Sequence, residues 1–372
     1  MQTAIPCYFM RGGTSKGPFF LESDLPSEPA TRDRVLLAVM GSPDARQIDG
    51  LGGAHPLTSK VGIVRKSSTP GVAVDFLFAQ LQPSNDSVDT TPNCGNMLAA
   101  VLPFAIERGL VSVQGATTTA RVLTLNTAMQ CDITVHTPGG KVATTGDARI
   151  DGAPGASAPI TINFLDTAGS VCTSLLPTGK VRDTVHVQGE GFAPFALDVT
   201  CIDNGMPLVM LRASDVQRTG YESVASLNAD TQLKAKLQAL RLQVSLQMGL
   251  GDVTSKNYPK MTLVAAPVAG GSVATRSFIP HVCHDAIGVL AAVTVATACV
   301  LKGSVCDGLA VMAGGSPQTV SVEHPTGEFS LSLVTDPLNP QNVTQAALLR
   351  TARLIMRGEV MVPASVWAGP AI

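Results

Sequence analysis

The segment Thr90-Thr91-Pro92-Asn93-Cys94-Gly95-Asn96-Met97 marks the point where a polar, extended run of the chain gives way to an apolar helix. The first N–H groups of a helix have no partner inside it, and they favour a negatively charged group placed against them. Glycine at such a point lets a ligand come close to the backbone, and asparagine can cap the helix or bind. We therefore predict that Cys94 lies at a site for an acidic small molecule. The candidate binding residues at this helix start are Asn93, Gly95, Asn96 and Met97.

The cysteines as a group do not form a structural framework. None of the eight belongs to a Cys-x-x-Cys pair, so neither a disulfide scaffold nor a zinc pattern is indicated. His281, Cys283 and His284 are clustered, but a zinc site needs a fourth ligand that the sequence does not supply. We therefore predict no metal site. For Cys94 the alternative to a functional role is a small, inert, buried thiol, and for His284 helix capping competes with substrate contact.

Composition limits the class of protein. The chain has 372 residues, enough for two domains, and it is 45% hydrophobic and 15% charged, as expected for a well-packed globular protein. The net charge of -2 and the lack of basic clusters argue against nucleic-acid binding. The longest apolar run, 286–301, is shorter than the roughly 20 residues of a membrane helix, and no signal peptide is indicated. We predict a cytoplasmic protein that binds neither nucleic acid nor a membrane.

The two halves of the chain follow the same plan. Each half is predicted to begin with a strand, a glycine turn and a returning strand, and to continue with an amphipathic helix, further strands and an apolar helix. A helix without a polar face must be buried on all sides. We therefore predict an α+β fold of two pseudo-repeated half-domains, 1–185 and 186–372, each a curved, mostly antiparallel sheet around a central buried helix. The predicted helices are Pro29–Met40, Cys94 to Gly109, Asp230–Leu250, a helix from the His281–Asp285 segment to Gly303, and a terminal helix over 344–357 that can pack on the first half.

Lys60 is the candidate base of the predicted site. It precedes the apolar strand Val61–Val64, and a lysine partly removed from water can exchange a proton. A strand-edge lysine that reaches solvent is the alternative. The tripeptide Thr-Ser-Lys occurs three times, and we interpret the copies as hydroxyl and ammonium groups that hold carboxylates. Its members, together with the second helix start, add Thr14, Ser15, Ser59, Lys256 and His284 to the candidate substrate-binding residues.

Several motifs together resemble one enzyme family. Asn93-Cys94-Gly95-Asn96 resembles the first active-site cysteine motif of the diaminopimelate epimerase-like fold. Nearly the whole chain is similar to the branch of that fold that holds 2-methylaconitate isomerase, 3-methylitaconate isomerase and 4-oxalomesaconate tautomerase. The further motifs that carry this resemblance are Met10–Gly17, Asp49–Gly53, Leu57–Val61, Glu323–Gly327 and Arg350–Arg353.

The resemblance implies a cofactor-independent isomerase in which Lys60 and Cys94 carry proton transfers. The expected reaction moves a proton in a small unsaturated tricarboxylate, first of all the keto–enol tautomerisation of 4-oxalomesaconate in the breakdown of gallate and related aromatic acids. Alternatives are the isomerisation of 2-methylaconitate or 3-methylitaconate and, in another class, a carboxylate-binding protein without catalysis. The second cysteine motif of the epimerases is replaced here by His281-Val282-Cys283-His284-Asp285, which argues against a racemase. The sequence leaves one-base and two-base mechanisms open, and the oligomeric state as well, a homodimer being one option.

Overall fold

The computed structural model describes residues 1–315, 317–336 and 338–369, without the side chains of 339–342. The strands are β1 (Gln2–Gly12), β2 (Ser15–Leu21), β3 (Lys60–Lys66), β4 (Val74–Leu81), β5 (Val88–Asp89), β6 (Thr117–Thr124), β7 (Met129–His136), β8 (Ile160–Phe164), β9 (Asp183–Val187), β10 (Phe195–Asp203), β11 (Pro207–Arg212), β12 (Lys260–Ala265), β13 (Val273–Phe278), β14 (Gln318–His324), β15 (Gly327–Asp336), β16 (Asn339–Arg350) and β17 (Ala352–Pro363). The helices are α1 (Pro29–Met40), α2 (Gly95–Leu98), α3 (Val101–Glu107), α4 (Val224–Ala229), α5 (Thr231–Gln247) and α6 (Val289–Val300).

The chain forms two compact units. The first contains Met1–Leu165 together with Arg350–Ile372, and the second contains Asp166–Leu349. The sequence placed the division at residues 185 and 186. In the structure the second unit begins earlier, because the Asp203 carboxylate accepts hydrogen bonds from the N–H groups of Val171 and Cys172. The first unit also contains the C-terminal part of the chain, which includes strand β17.

In the first unit, a mostly antiparallel sheet runs in the order β17, β1, β2, β3, β4, β6, β7 and β8. The pairs β2–β3 and β4–β6 are parallel, whereas the others are antiparallel. Val61 and Ile63 on β3 pack with Val35 and Leu36 of α1 on one side of the sheet. Successive side chains of a strand point to opposite faces, so Lys60 faces the other side.

The apolar helix that begins at Cys94 is interrupted. The sequence predicted one helix to Gly109, but α2 and α3 are separated at Ala99 and Ala100. Pro103 explains the break, because it has no N–H to bond to the carbonyl of Ala99 and its ring collides with that carbonyl. Residues 97–105 are buried, as predicted. Helix α3 is capped by Arg108 and followed by Gly109, whose φ is 70°.

The second unit repeats the order of the first. The β10–β11 hairpin leads into a short 3-10 helix at Ala213–Val216 and then into α4 and α5. Strand β12 is parallel to β11 and antiparallel to β13, as β3 is to β2 and β4. The apolar face of α5 packs on Met261 and Leu263, and α6 is buried along almost all its length. The predicted α+β fold of two similar halves is confirmed.

Helix α6 begins later than predicted. The sequence placed its start in the His281–Asp285 segment, whereas Gly288 is the N-cap and Val289 the first helical residue. A bridge between Phe278 and Cys283 keeps the preceding segment extended, and the N–H of His284 donates to the carbonyl of Ser277 at 2.8 Å. These contacts use the backbone groups that a helix would need. His284 therefore precedes the helix rather than starting it.

The predicted terminal helix over 344–357 is wrong, because this segment forms the end of β16 and the start of β17. Strand β17 pairs with β1 from Gln2↔Pro363 to Gly12↔Ala352. Ala346, Ala347 and Leu348 pair with Leu333, Ser332 and Leu331 of β15, and these strand pairings override the local helix preference of the segment. No helix in the described part of the chain has the length and apolar character needed to cross a membrane.

Candidate active site

Cys94 is the N-cap residue of α2. Its backbone is extended, with φ of -132° and ψ of 99°, and its carbonyl accepts the N–H of Leu98 at 2.9 Å. The half-buried thiol makes no capping hydrogen bond, so the side chain is not consumed by the helix. The N–H groups of Gly95 and Asn96 are the first of the helix and have no acceptor within it. A thiol and two backbone donors therefore lie together.

The β1–β2 turn lies directly against this helix start. A Cβ on Gly12 would overlap the carbonyl oxygen of Asn96, and a Cβ on Gly13 would overlap its side-chain amide. Gly13 also has φ of 52°, which favours glycine. The Asn96 amide donates to Oγ1 of Thr14 at 2.9 Å. The turn can approach α2 this closely only because both positions are glycine.

Lys60 is nearly removed from solvent, with 7% of its surface exposed. Its Nζ donates to Oε1 of Gln80 at 2.6 Å and lies 4.9 Å from the ring centroid of Phe78. The Gln80 amide in turn donates to the carbonyls of Pro56 and Ser59, which fixes the orientation of its oxygen. Neither neighbour of the Nζ carries a formal charge. Lys60 is therefore held by one neutral acceptor and an aromatic face.

Gly17 connects Lys60 to the cysteine helix. A Cβ at this position of β2 would overlap the carbonyl oxygen of Lys60 and would lie 3.5 Å from Cε of Met97. Because Met97 follows Cys94 by three residues, the same point of β2 touches the start of β3 and the first turn of α2. The first unit thus brings together Lys60, the Cys94 helix start and the β1–β2 turn. We call residues 12–17, which form this turn and its flanks, the 12–17 turn.

The hydroxyl groups of this region have different environments. Ser15 is buried, and its Oγ has no hydrogen-bond partner among the described residues. The Oγ of Ser59, also buried, lies 2.9 Å from both Oε1 of Gln47 and the carbonyl oxygen of His55. The Ser15 hydroxyl therefore has an unused hydrogen-bonding capacity, whereas Ser59 is engaged in holding the loop before β3. The fully buried side chain of Met97 belongs to the core.

Asn93 and Asn126 anchor the segment that leads to Cys94. The Asn93 amide donates to the hydroxyls of Thr124 and Thr127, and its Oδ1 is buried without a partner among the described residues. The Asn126 amide donates to the carbonyl of Thr90 at 2.6 Å. The segment is thus fixed to the β6–β7 turn before α2 begins.

Thr351 anchors the 12–17 turn from the start of β17. The N–H of Gly13 donates to the Thr351 carbonyl at 2.8 Å, and Arg11 donates to the Gly13 carbonyl at 2.8 Å and to Oγ1 of Thr351 at 2.9 Å. Burial, followed by the nearby Arg353, lowers the pKa of the Arg11 guanidinium. The 350–353 motif therefore supports the position of the turn.

The remaining two predicted residues belong to the second unit. Lys256 is exposed in a turn before β12. Nδ1 of half-buried His284 accepts the N–H of Ala286 at 2.8 Å, which leaves Nε2 as the donor of the neutral ring. Burial, followed by Lys260, lowers the pKa of His284. Burial raises the pKa of Cys283 to about 11, although Arg276 opposes this, so the thiol stays protonated at neutral pH.

One residue in each unit was missed from the sequence. Gln80 lies 20 residues after Lys60 and meets it only through the pairing of β3 with β4. Lys260 opens β12, and its signal was its place before the apolar strand Met261–Ala265, the same place that Lys60 has before Val61–Val64. The repeated Thr-Ser-Lys drew attention to Lys256 instead. Its three copies lie in unlike settings, namely a hairpin turn, the start of β3 and a turn before β12.

Within the described ranges, no group of three or more His, Cys, Asp or Glu side chains is placed to hold a metal ion. The site of the first unit is therefore built from a lysine, a thiol, hydroxyls and amide groups. Such groups can transfer protons and can stabilise negative charge on a small acid.

Comparisons with known proteins agree with this chemistry. The chain is 53% identical over 369 residues to the 4-oxalomesaconate tautomerase of Pseudomonas putida, covering 99% of both chains. It is 55% identical over 357 residues to the (4E)-oxalomesaconate Delta-isomerase of a Novosphingobium species, covering 96% of this chain and 97% of that protein. A crystal structure of methylitaconate-delta-isomerase matches with a TM-score of 0.85 and 33% identity, covering 100% of this chain and 98% of that one.

The family resemblance and the fold class predicted from the sequence are both confirmed by these similarities. A model of the PrpF protein family matches residues 2–363, almost the whole chain. The chain belongs to the PrpF protein family.

Proposed function

We propose that this protein is a cofactor-independent isomerase that tautomerises 4-oxalomesaconate. The observation that carries the proposal is the 53% and 55% identity, over nearly the full chain, to two proteins named for reactions of this acid. The arrangement of Lys60, Cys94 and unpaired donors in the first unit supports it, since these groups suit proton transfer on a carboxylate.

The reaction requires the loss and return of one proton. A base takes the proton from the carbon that lies between the carbonyl and the alkene of the keto form, and the electron pair spreads into a dienolate. An acid then gives a proton to the enolate oxygen, or to another carbon of the conjugated system. No atoms are gained or lost, and no oxidant or reductant is needed.

Lys60 would remove or return one of these protons, and Cys94 would serve the other position. The amide of Gln80 and the ring of Phe78 would hold the amine of Lys60 in position for these transfers. The alternative is a one-base mechanism, in which Lys60 makes both transfers and Cys94 assists without titrating. Replacement of Cys94 by alanine distinguishes them, since only the two-base mechanism predicts a loss comparable to that of a Lys60 variant.

The negative charge of the dienolate and of the carboxylates needs donors. The N–H groups of Gly95 and Asn96 and the unpaired hydroxyl of Ser15 would supply them, and Asn96 would hold Thr14 in place. Such preorganised donors usually contribute the largest share of the stabilisation of a charged transition state. Asn93, Ser59 and Met97 would position this set rather than touch the substrate.

Steady-state kinetics on three acids tests the substrate assignment. We expect kcat/KM for 4-oxalomesaconate to exceed that for 2-methylaconitate and 3-methylitaconate by at least about tenfold, because one missing polar contact costs about that much. The similarity to methylitaconate-delta-isomerase makes its substrate the best-supported second candidate. Binding of all three acids without turnover would instead favour the non-catalytic carboxylate-binding protein. The cytoplasmic location and the homodimer are predictions made from the sequence alone.

A further inference from the structure

The side chain of Asn126, in the turn between β6 and β7, completes one edge of β4. The pairing of β4 with β6 ends at Phe76, and its pairing with β5 begins at Gln80, so Phe78 lies between the two. The Oδ1 of Asn126 accepts the N–H of Phe78 at 2.9 Å, and its Nδ2 donates to the Phe78 carbonyl at 2.8 Å. The amide therefore makes the two hydrogen bonds that a neighbouring strand would make at this point.

The same amide group reaches the segment that leads to Cys94. The Nδ2 of Asn126 also donates to the carbonyl of Thr90 at 2.6 Å, four residues before the cysteine. Asn93, the residue next to Cys94, donates in turn to two hydroxyls that flank Asn126. An asparagine amide has two N–H donors, and both of those in Asn126 are used. The β6–β7 turn thus holds the approach to the cysteine at two points.

Phe78 connects Asn126 to Lys60. Its ring centroid lies 4.9 Å from the lysine Nζ, and Gln80, two residues further along β4, accepts a hydrogen bond from that Nζ at 2.6 Å. Because side chains two residues apart share a face of a strand, the backbone at Phe78 sets the position of both neighbours of the amine. One amide group therefore connects the surroundings of Lys60 with the segment before Cys94.

We propose that Asn126 is a positioning residue that keeps Lys60 and Cys94 aligned for proton transfer on the substrate. It contacts neither group, and acts through the backbone of Phe78 and Thr90. This inference rests on the proposed function, which assigns the proton transfers to Lys60 and Cys94. A small misplacement of such groups is costly, because proton transfer requires close approach and correct orientation.

The backbone donors proposed for the carboxylates have other anchors. The side chain of Asn96 donates to Oγ1 of Thr14 at 2.9 Å, and Met97 is fully buried in the core. The first turn of α2 is therefore held from the β1–β2 side as well as from the β6–β7 turn. Loss of the Asn126 amide should consequently affect the chemical step more than substrate binding.

The test compares Asn126→Ala with Thr137→Val. Thr137 is buried at the opposite end of the β6–β7 hairpin, where its Oγ1 donates to the carbonyl of Gly115 at 2.7 Å. The valine variant thus loses a hydrogen bond of the same hairpin without a change at Phe78 or Thr90. Turnover of 4-oxalomesaconate is measured on both variants. The rate at which iodoacetamide alkylates Cys94 is measured by peptide mass spectrometry.

For Asn126→Ala we expect kcat to fall about 10- to 100-fold, the cost of a small misplacement, while KM changes by less than about threefold. Alkylation of Cys94 should become about fivefold faster, because one lost hydrogen bond favours local opening by about that factor. Asn126→Asp keeps the acceptor for Phe78 and loses both donated hydrogen bonds, so it should be no more active than Asn126→Ala. Thr137→Val should keep the wild-type kcat and alkylation rate even where its Tm falls as much.

A wild-type kcat in a folded Asn126→Ala variant would overturn the inference. A raised KM with unchanged kcat would also overturn it, since Asn126 would then act on binding. An equal loss of kcat in Thr137→Val would show general destabilisation instead of positioning. Thermal unfolding shows whether each variant is folded, and Asn126→Asp carries the comparison if the alanine variant is not. Failure of the proposed function is distinguishable, because the wild type would then turn over none of the acids, whereas alkylation of Cys94 needs no substrate.

Discussion

At the scale of single residues, the proposed chemistry of the first unit depends on Lys60 and its two neutral neighbours. A buried ammonium usually pairs with a carboxylate, and such a pair would hold the amine in its charged form. Here the Gln80 oxygen accepts one N–H, and the Phe78 ring covers another side of the amine. The lysine is therefore held in place by two uncharged groups, and it forms no ion pair among the described residues.

The first prediction concerns Lys60 itself. Lys60→Met should lower kcat for 4-oxalomesaconate about 100- to 10,000-fold, because general acid–base catalysis contributes about that factor. The fold should be retained, since methionine fits a half-apolar position and removes a desolvated charge. Lys66→Met at the exposed end of the same strand is the matched control and should keep wild-type turnover. Initial rates measure both, and near-normal turnover by Lys60→Met would show that another group carries the proton.

Gly17 gives a second prediction at this scale. A Cβ there would overlap the carbonyl oxygen of Lys60, which is backbone and cannot rotate away. Gly17→Ala should lower the free energy of unfolding by about 3 kcal/mol or more, the upper range for overpacking. In Gly358→Ala, also in a strand of the first unit, the new Cβ meets no atom within 4 Å, so stability should change by less than about 0.5 kcal/mol. Urea denaturation compares the two, and equal effects would mean that the contact at Gly17 is unimportant.

At the scale of elements, the loop between β12 and β13 is held by one carboxylate. Glu323, 5% exposed on β14, accepts the N–H groups of Val268, Ala269 and Gly271 at 2.9, 2.8 and 2.7 Å. Burial by itself would raise the pKa of Glu323, but the three N–H bonds outweigh it and the pKa is lowered. This residue of the 323–327 motif thus holds a loop.

The sign of the pH effect follows from that lowered pKa. A carboxylate whose pKa is lower in the folded state stabilises the fold above its unfolded pKa, near 4.5, and this contribution is lost as the pH falls. Glu323→Gln should therefore cost about 1 to 3 kcal/mol at pH 7, and the difference from wild type should shrink from about pH 5 to pH 3. Urea titrations across this range measure it, with the exposed Glu190→Gln as control. A difference independent of pH would contradict the assignment.

The sequence reached some elements and residues of this site and not others, for physical reasons. Cys94 and Lys60 could be proposed as site residues from the sequence because local signals mark them. These signals are a helix start after a polar run and a charge before an apolar strand. Gln80 and Thr351 were not, since their contacts depend on strand pairing between distant parts of the chain. The terminal helix was predicted from local preference, and the pairing of β16 with β15 and of β17 with β1 overrode it.

At the scale of the whole molecule, the first unit is discontinuous in sequence. Strand β1 pairs with β17 along eleven positions, and Ile5, Cys7 and Val362 share one buried cluster. The last strand therefore completes the sheet that carries the 12–17 turn, and Thr351 at its start fixes that turn. We therefore expect that formation of the candidate site depends on strand β17.

Truncation tests this dependence. A chain that stops after Leu349 should lose the cooperative unfolding of the first unit, because β1 would lose β17, one of its two antiparallel partners, and Ile5 and Cys7 would lose the buried contact with Val362. A chain that ends at Gly369 keeps β17 and should unfold like the full protein. Hydrogen exchange of the β1 amides measures the effect. Equal protection of these amides in both chains would contradict the dependence.

The central claim is that this protein moves a proton on an unsaturated tricarboxylic acid by means of Lys60. The most direct measurement is proton NMR of 4-oxalomesaconate in buffered deuterium oxide with wild-type protein and with Lys60→Met. We predict that the wild type replaces the C–H signal next to the carbonyl with deuterium as the tautomers interconvert, and that Lys60→Met exchanges at the rate of buffer. Exchange that is absent from the wild type, or equally fast in the variant, would contradict the account.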